Sequence, residues 1–231
     1  GHRNSEWTGL GPILEEDIAF SSMAQDEIGH ALAYYSLLQE LGEGEPDQVA
    51  FMRPAQAYRC CHLVEQPMGD YAFSVVRHYF YDQAEDIRLA ALTRSAHAPL
   101  AELARKLQRE EKYHLLHAKT WMQQLAKGNE ESRARVQSAI KEAFPMAFSL
   151  FEATEYNQIL ASEGICPTEE SLQEIWLTRI QADFQSLQLG LPEAGDISTW
   201  LGGRKGWHSA HLQPLLDEMS EVFRLDPQAA W

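Results

Sequence analysis

Apolar residues recur along much of the chain at the three- and four-residue spacing that places them on one face of an α-helix. Proline and glycine separate these stretches, and no stretch alternates as a β-strand would. Pro145 lies inside one stretch and predicts a kink near residues 141–144. The predicted helices span residues 13–41, 70–95, 99–127, 130–153, 168–188 and 209–225. The pattern therefore predicts an all-α protein with a four-helix core and additional C-terminal helices.

Two of the long apolar faces are interrupted by the same polar pair, a glutamate followed three residues later by a histidine. The pairs are Glu27 with His30 and Glu111 with His114. On a helix this spacing puts both side chains on one face, a turn apart, where they can bind one metal ion. Because a buried carboxylate without a partner is costly, each pair needs a metal, a counter-charge or the mouth of a cavity.

Two such helices, with one carboxylate from each of two others, form the two-metal site of ferritin-like bundles. In an antiparallel hairpin, residues equally far from the loop lie at the same depth. The loop near residues 97–98 thus places Glu85 opposite the second Glu-x-x-His pair, with Asp82 as the alternative ligand. Asp86 lies close by, and the sequence leaves open which of the three points inward. The predicted metal ligands are Glu27, His30, Glu85, Glu111 and His114.

The remaining carboxylate of such a site is not found in the sequence. Residues 1–7 resemble the end of a helix whose beginning is absent, and the same depth argument puts the counterpart of Glu27 about seven residues before Gly1. Glu6 is about three helical turns too near the end of the bundle. Two interpretations stay open: a pair of bound metal ions, with iron as the candidate cofactor, or an ion pair without metal. No catalytic or other cofactor-binding residue is assigned.

Composition narrows the class of partner. The chain has 231 residues, which suits a single domain over residues 1–231, and its 34 acidic and 19 basic residues give a net charge of -15. Such a charge repels nucleic acid and anionic lipid, so proteins or small molecules are the expected partners. Three cysteines without paired spacing, no secretion signal and no long apolar run predict a cytoplasmic protein outside the membrane.

Several motifs resemble those of one known family, and they follow one another in the same order along the chain. The most specific is the C-terminal run Gly202-Gly203-Arg204-Lys205-Gly206-Trp207-His208. The others are Gly1-His2-Arg3 with Glu6-Trp7, Val64-Glu65-Gln66-Pro67, residues 77–82, residues 110–114 with Trp121, and the closing Trp231. The chain resembles the C subunit of phenylacetate-CoA oxygenase, also called phenylacetyl-CoA epoxidase, the PaaC family of the ferritin-like superfamily.

The resemblance implies a ferritin-like four-helix bundle that acts as a structural, non-catalytic monooxygenase subunit in aerobic phenylacetate catabolism. The complex performs 1,2-epoxidation of the aromatic ring, and its di-iron site belongs to the catalytic A subunit, with which the C subunit forms a heterodimer within a larger assembly. Glu27 and His30 are both present here, whereas the most degenerate members of the family lack the first Glu-x-x-His. The alternative is therefore a self-sufficient di-metal carboxylate oxidase that uses its own Glu-x-x-His pairs.

The basic loop at residues 202–211 has two open interpretations. Arg204 and Lys205 could contact the phosphates of coenzyme A or an acidic partner surface. Alternatively, the loop docks helices together.

Overall fold

The helices predicted from apolar periodicity are present in the structure, a computed structural model that describes residues 1–227 and 229. No strand occurs among those residues, so the all-α prediction is confirmed, while Trp231 lies outside them. Ten α-helices occur in the described part of the chain: α1 (His2–Ser5), α2 (Leu14–Glu40), α3 (Pro46–Phe51), α4 (His62–Glu65), α5 (Tyr71–Leu92), α6 (Ala98–Lys127), α7 (Glu130–Ala147), α8 (Asn157–Ser162), α9 (Glu169–Leu187) and α10 (Leu212–Leu225).

The helix starts follow from local capping chemistry. The Asp70 carboxylate accepts a hydrogen bond from the Phe73 N–H at 2.8 Å, and the Asn129 side chain accepts one from the Ser132 N–H at 2.8 Å. Each satisfies a backbone donor that the first turn of a helix leaves without an intrahelical partner. The helix predicted to reach residue 153 instead ends at Ala147, two residues after Pro145, and continues as a 3₁₀ turn. Proline supplies no N–H for the helical ladder, which favours an early end.

The chain divides into two compact units. The first contains residues 1–67 and the chain from residue 202 onward, with helices α1 to α4 and α10. The second contains residues 68–201, with helices α5 to α9. The single domain expected over residues 1–231 stays a prediction. In the part of the chain that the structure describes, no helix combines the length and apolar character needed to cross a membrane.

The core of the second unit is aromatic. The Trp176 ring on α9 is fully buried, with its centroid 5.7 Å from that of Phe80 and 6.0 Å from that of Phe144. Its indole N–H donates to the Phe80 carbonyl at 3.0 Å, so the one polar atom of the ring is satisfied. Helix α5 packs against α6, α7 and α9, which fixes the orientation of its polar residues.

Candidate metal centre

Helices α5 and α6 each bury one carboxylate beside one imidazole. On α5, His78 Nδ1 lies 3.5 Å from Asp82 Oδ1, and on α6, His114 Nδ1 lies 3.4 Å from Glu111 Oε1. All four side chains are at most 7% exposed. Spacings of four and three residues place the members of each pair on one helix face. The second unit therefore contains two carboxylates and two imidazoles in its interior.

His78 is held neutral in this interior. Burial, followed by the positive charges of Arg77, His117 and His114, lowers the pKa of His78 well below its ordinary 6.5. A neutral imidazole is the form that binds a metal ion. The buried His78 imidazole also makes the free energy of unfolding depend on pH.

We expect the free energy of unfolding to fall as the pH drops below 6.5, by about 1.4 kcal/mol per pH unit from His78 alone. The folded protein keeps this imidazole neutral, whereas the unfolded chain takes up a proton as the pH falls through 6.5. This contribution is fully present above pH 6.5 and is lost below it. Urea unfolding between pH 7.5 and 5.5 measures the slope. His78→Gln should reduce it and His211→Gln, at an exposed position, should not; equal slopes in wild type and His78→Gln would contradict the assignment.

The structure distinguishes the three acidic candidates on α5. Asp82 is completely buried, whereas the Glu85 side chain is 17% exposed and lies 4.0 Å from Arg88 Nε. Asp86 pairs with Arg179 at 2.6 Å. Asp82, the alternative in the sequence analysis, is therefore the most buried of the three. The assignment of Glu85 as a ligand stays a prediction.

The first Glu-x-x-His pair lies on α2, in the other unit. His30 is buried there and Glu27 is partly exposed. Gly1 is their neighbour, since a Cβ added to it would lie 3.2 Å from the Glu27 Cβ. The depth argument placed the counterpart of Glu27 about seven residues before Gly1. It was wrong because it counted loop residues like helical ones: a loop residue advances up to about 3.3 Å, whereas a helical residue advances 1.5 Å. Glu6 pairs with Arg3.

The second unit buries the donor types that bind a carboxylate-bound iron ion, although among the described residues no group of three donors within 4.8 Å of one another includes Asp82 or His78. Asp82 and Glu111 offer oxygen ligands, and His114 and His78 offer nitrogen ligands. His78 was missed by the sequence analysis, although its four-residue spacing to Asp82 on a buried face was a usable signal. A single site that joins this set to Glu27 and His30 stays a prediction.

A second buried polar cluster, in the first unit, was not predicted. Glu65 is fully buried and its Oε1 accepts a hydrogen bond from His208 Nδ1 at 2.7 Å, while its Oε2 accepts the Ser209 N–H at 2.7 Å. His208 Nε2 donates to the Tyr58 carbonyl at 3.2 Å. Both ring nitrogens of His208 thus face acceptor oxygens.

Cys60 completes this cluster. Its Sγ lies 3.6 Å from Glu65 Oε1 and 4.0 Å from His208 Nδ1. Burial, followed by the negative charge of Glu65, raises the pKa of the Cys60 thiol far above its usual value, so the thiol stays protonated. We interpret the cluster as a structural junction, because hydrogen bonds satisfy both carboxylate oxygens of Glu65. The cluster joins the motif at residues 64–67 to the motif at residues 202–208, which the resemblance had identified separately.

Comparisons with known proteins agree with the resemblance and with the helical architecture. A family model described as phenylacetic acid catabolic protein matches residues 1–231. The C subunit of the 1,2-phenylacetyl-CoA epoxidase of Escherichia coli (strain K12) is 34% identical over 230 residues, which cover 99% of this chain and 92% of that protein. The A subunit of the same epoxidase is 26% identical over 151 residues, or 65% of this chain and 48% of that protein. The all-α, ferritin-like fold class is thereby confirmed. The chain belongs to the phenylacetic acid catabolic protein family.

Proposed function

We propose that this chain is a structural, non-catalytic subunit of a phenylacetyl-CoA epoxidase complex and supports a catalytic partner related to the A subunit. The observation that carries the proposal is the contrast in coverage between the two relatives. Similarity to the C subunit extends over 99% of the chain, whereas similarity to the A subunit extends over 65% at lower identity. The chain is thus related to both relatives, but its whole length follows the C subunit.

An exposed apolar face on α2 supports the pairing. Leu14, Ile18, Ile28 and Leu32 lie on one stripe of this helix and are between 53% and 69% exposed. Their spacings of 4, 10 and 4 residues keep them within an arc of about 80° around the helix axis, with Ser21 and Gln25 lying between Ile18 and Ile28. Exposed apolar side chains along one face of a surface helix are typical of a protein interface. We assign this face to contact with the catalytic subunit.

In this role the buried polar residues of the second unit act within the chain. His78 contacts Asp82 within α5, and His114 contacts Glu111 within α6. The same donor set supports a second candidate function, a di-metal oxidase that works alone. Glu111 and His114 would then supply ligands to iron, which supplies oxygen activation when it is bound.

Coexpression with a catalytic subunit tests the proposal. We expect the two chains to copurify, and we expect epoxidation of phenylacetyl-CoA, with a reductase and NADPH supplied, to require both. Ile18→Asp should abolish copurification because it buries a charge in the interface. Val222→Asp, at an exposed apolar position on α10 that is 57% exposed, is the matched control and should copurify normally.

Two results would contradict the structural role. One is turnover by this chain alone, with close to two iron ions per chain in metal analysis, which would favour the self-sufficient oxidase. The other is full epoxidation by the catalytic subunit without this chain.

A further inference from the structure

A cavity in the first unit lies beside the basic loop near the C terminus. Its volume is about 500 Å³, within the range of small-molecule sites. Ala55 and Gln56 form one side, Gln213 of α10 contributes an amide, and the loop contributes residues 205–209. None of the described residues that line it is a carboxylate. The cavity is therefore suited to a ligand that carries negative charge.

Tight packing explains the glycines of the loop. A Cβ on Gly203 would lie 2.1 Å from the Cys60 carbonyl oxygen, and one on Gly206 would lie 2.5 Å from the Gln56 carbonyl oxygen. Gly206 also has a φ of 87°, which favours glycine. The loop backbone is thus fixed against residues 56–60.

The wall of the cavity is held by buried hydrogen bonds. His208 and Ser209 both line it, and both are fixed by Glu65 through contacts of 2.7 Å. The carbonyl of the adjoining lining residue, Trp207, accepts a hydrogen bond from His62 Nε2 at 2.8 Å. A wall fixed in this way is already formed before a ligand binds, which lowers the entropic cost of binding.

Two lining side chains, those of Lys205 and Trp207, extend from this fixed backbone to the surface. Lys205 is exposed, and Arg59 brings a second cation close, since its Nη1 lies 3.0 Å from the position that a Cβ on Gly206 would occupy. On a chain with a net charge of -15, such a pair of cations is a local exception that attracts anions. The Trp207 side chain is 75% exposed, so its ring face is available for stacking on a planar base.

We propose that this cavity binds a nucleoside phosphate, with Lys205 contacting the phosphate and Trp207 stacking on the base. The preformed cavity offers a cation for the phosphate, an exposed indole for the base and amide groups for the sugar of such a ligand. The choice of coenzyme A as the physiological carrier of this group rests on the proposed function. The site would hold the nucleotide end of a coenzyme A thioester.

Calorimetric titration of the purified full-length chain with coenzyme A tests this site. We expect one equivalent to bind, ADP to bind as well, and inorganic phosphate to bind at least about tenfold more weakly, because it lacks a base. Lys205→Gln and Trp207→Ala should each weaken coenzyme A binding about tenfold. Lys141→Gln removes a charge from another exposed lysine, on α7 in the other unit, and should leave affinity unchanged.

The proposal is overturned if coenzyme A does not bind, if both loop variants bind it like the wild type, or if phosphate binds as tightly as coenzyme A. Copurification of the Lys205→Gln chain with the catalytic subunit separates the two proposals. Loss of coenzyme A binding with copurification retained supports this site. Failure of the wild type to copurify, with coenzyme A binding intact and sensitive to Lys205→Gln, contradicts only the proposed function.

Discussion

Trp176→Ala is expected to lower the free energy of unfolding by about 4 kcal/mol, the upper part of the range for large aromatic residues in a core. The Trp176 ring is completely buried and contacts the rings of Phe80, Phe144, Phe148 and Phe151, whose centroids lie 5.3 to 6.0 Å away. Alanine leaves a cavity among these rings, and it also leaves the Phe80 carbonyl without the indole N–H. Urea or thermal unfolding measures the change.

Trp200→Ala is the matched control, because Trp200 is only partly buried and lies in a short 3₁₀ turn. It should cost less than half as much as Trp176→Ala. A similar loss in both variants would mean that the aromatic cluster is not the principal core of the second unit.

Glu65→Leu is expected to cost about 2 to 6 kcal/mol, because two buried donors lose their acceptor at about 1 to 3 kcal/mol each. The substitution leaves His208 without its carboxylate partner and the Ser209 N–H without its acceptor. The loop at residues 202–211 and helix α10 should therefore exchange amide hydrogens faster. Hydrogen exchange with mass spectrometry measures this effect, and urea unfolding measures the total loss.

Glu218→Ala provides the control for this pair. Glu218 also faces a histidine, since it lies 3.9 Å from His2 Nε2, but its side chain is 65% exposed. Exposed ion pairs contribute little to stability, so this variant should unfold like the wild type. Unchanged exchange at residues 202–211 in Glu65→Leu would show that the junction does not hold the loop.

The two Glu-x-x-His pairs show how far a local motif determines its surroundings. Both lie on long helices at the predicted spacing, yet Glu111 and His114 are almost completely buried, whereas Glu27 is partly exposed. The spacing alone fixes which residues share a helix face. It does not fix how deeply that face is covered, because neighbouring helices decide the burial.

The choice among the acidic residues of α5 illustrates a second limit. Asp82 and Glu85 are three residues apart, which is about 60° around a helix, and both fit an apolar stripe that is about 100° wide. Depth counting from the loop could not separate them. Only the packing of α5 against α6, α7 and α9 makes Asp82 the buried residue.

The amino-acid sequence by itself determined the helical class, most boundaries of the long helices and the family, because these depend on local periodicity, capping residues and short motifs. The tertiary structure alone brought Glu65 to His208, across 143 positions of the chain, and formed the cavity beside Lys205 and Trp207. It also showed that Gly1 lies next to Glu27. Such contacts depend on the path of the loops that connect the helices and on the packing of the helices. Neither leaves a periodic signal in the sequence.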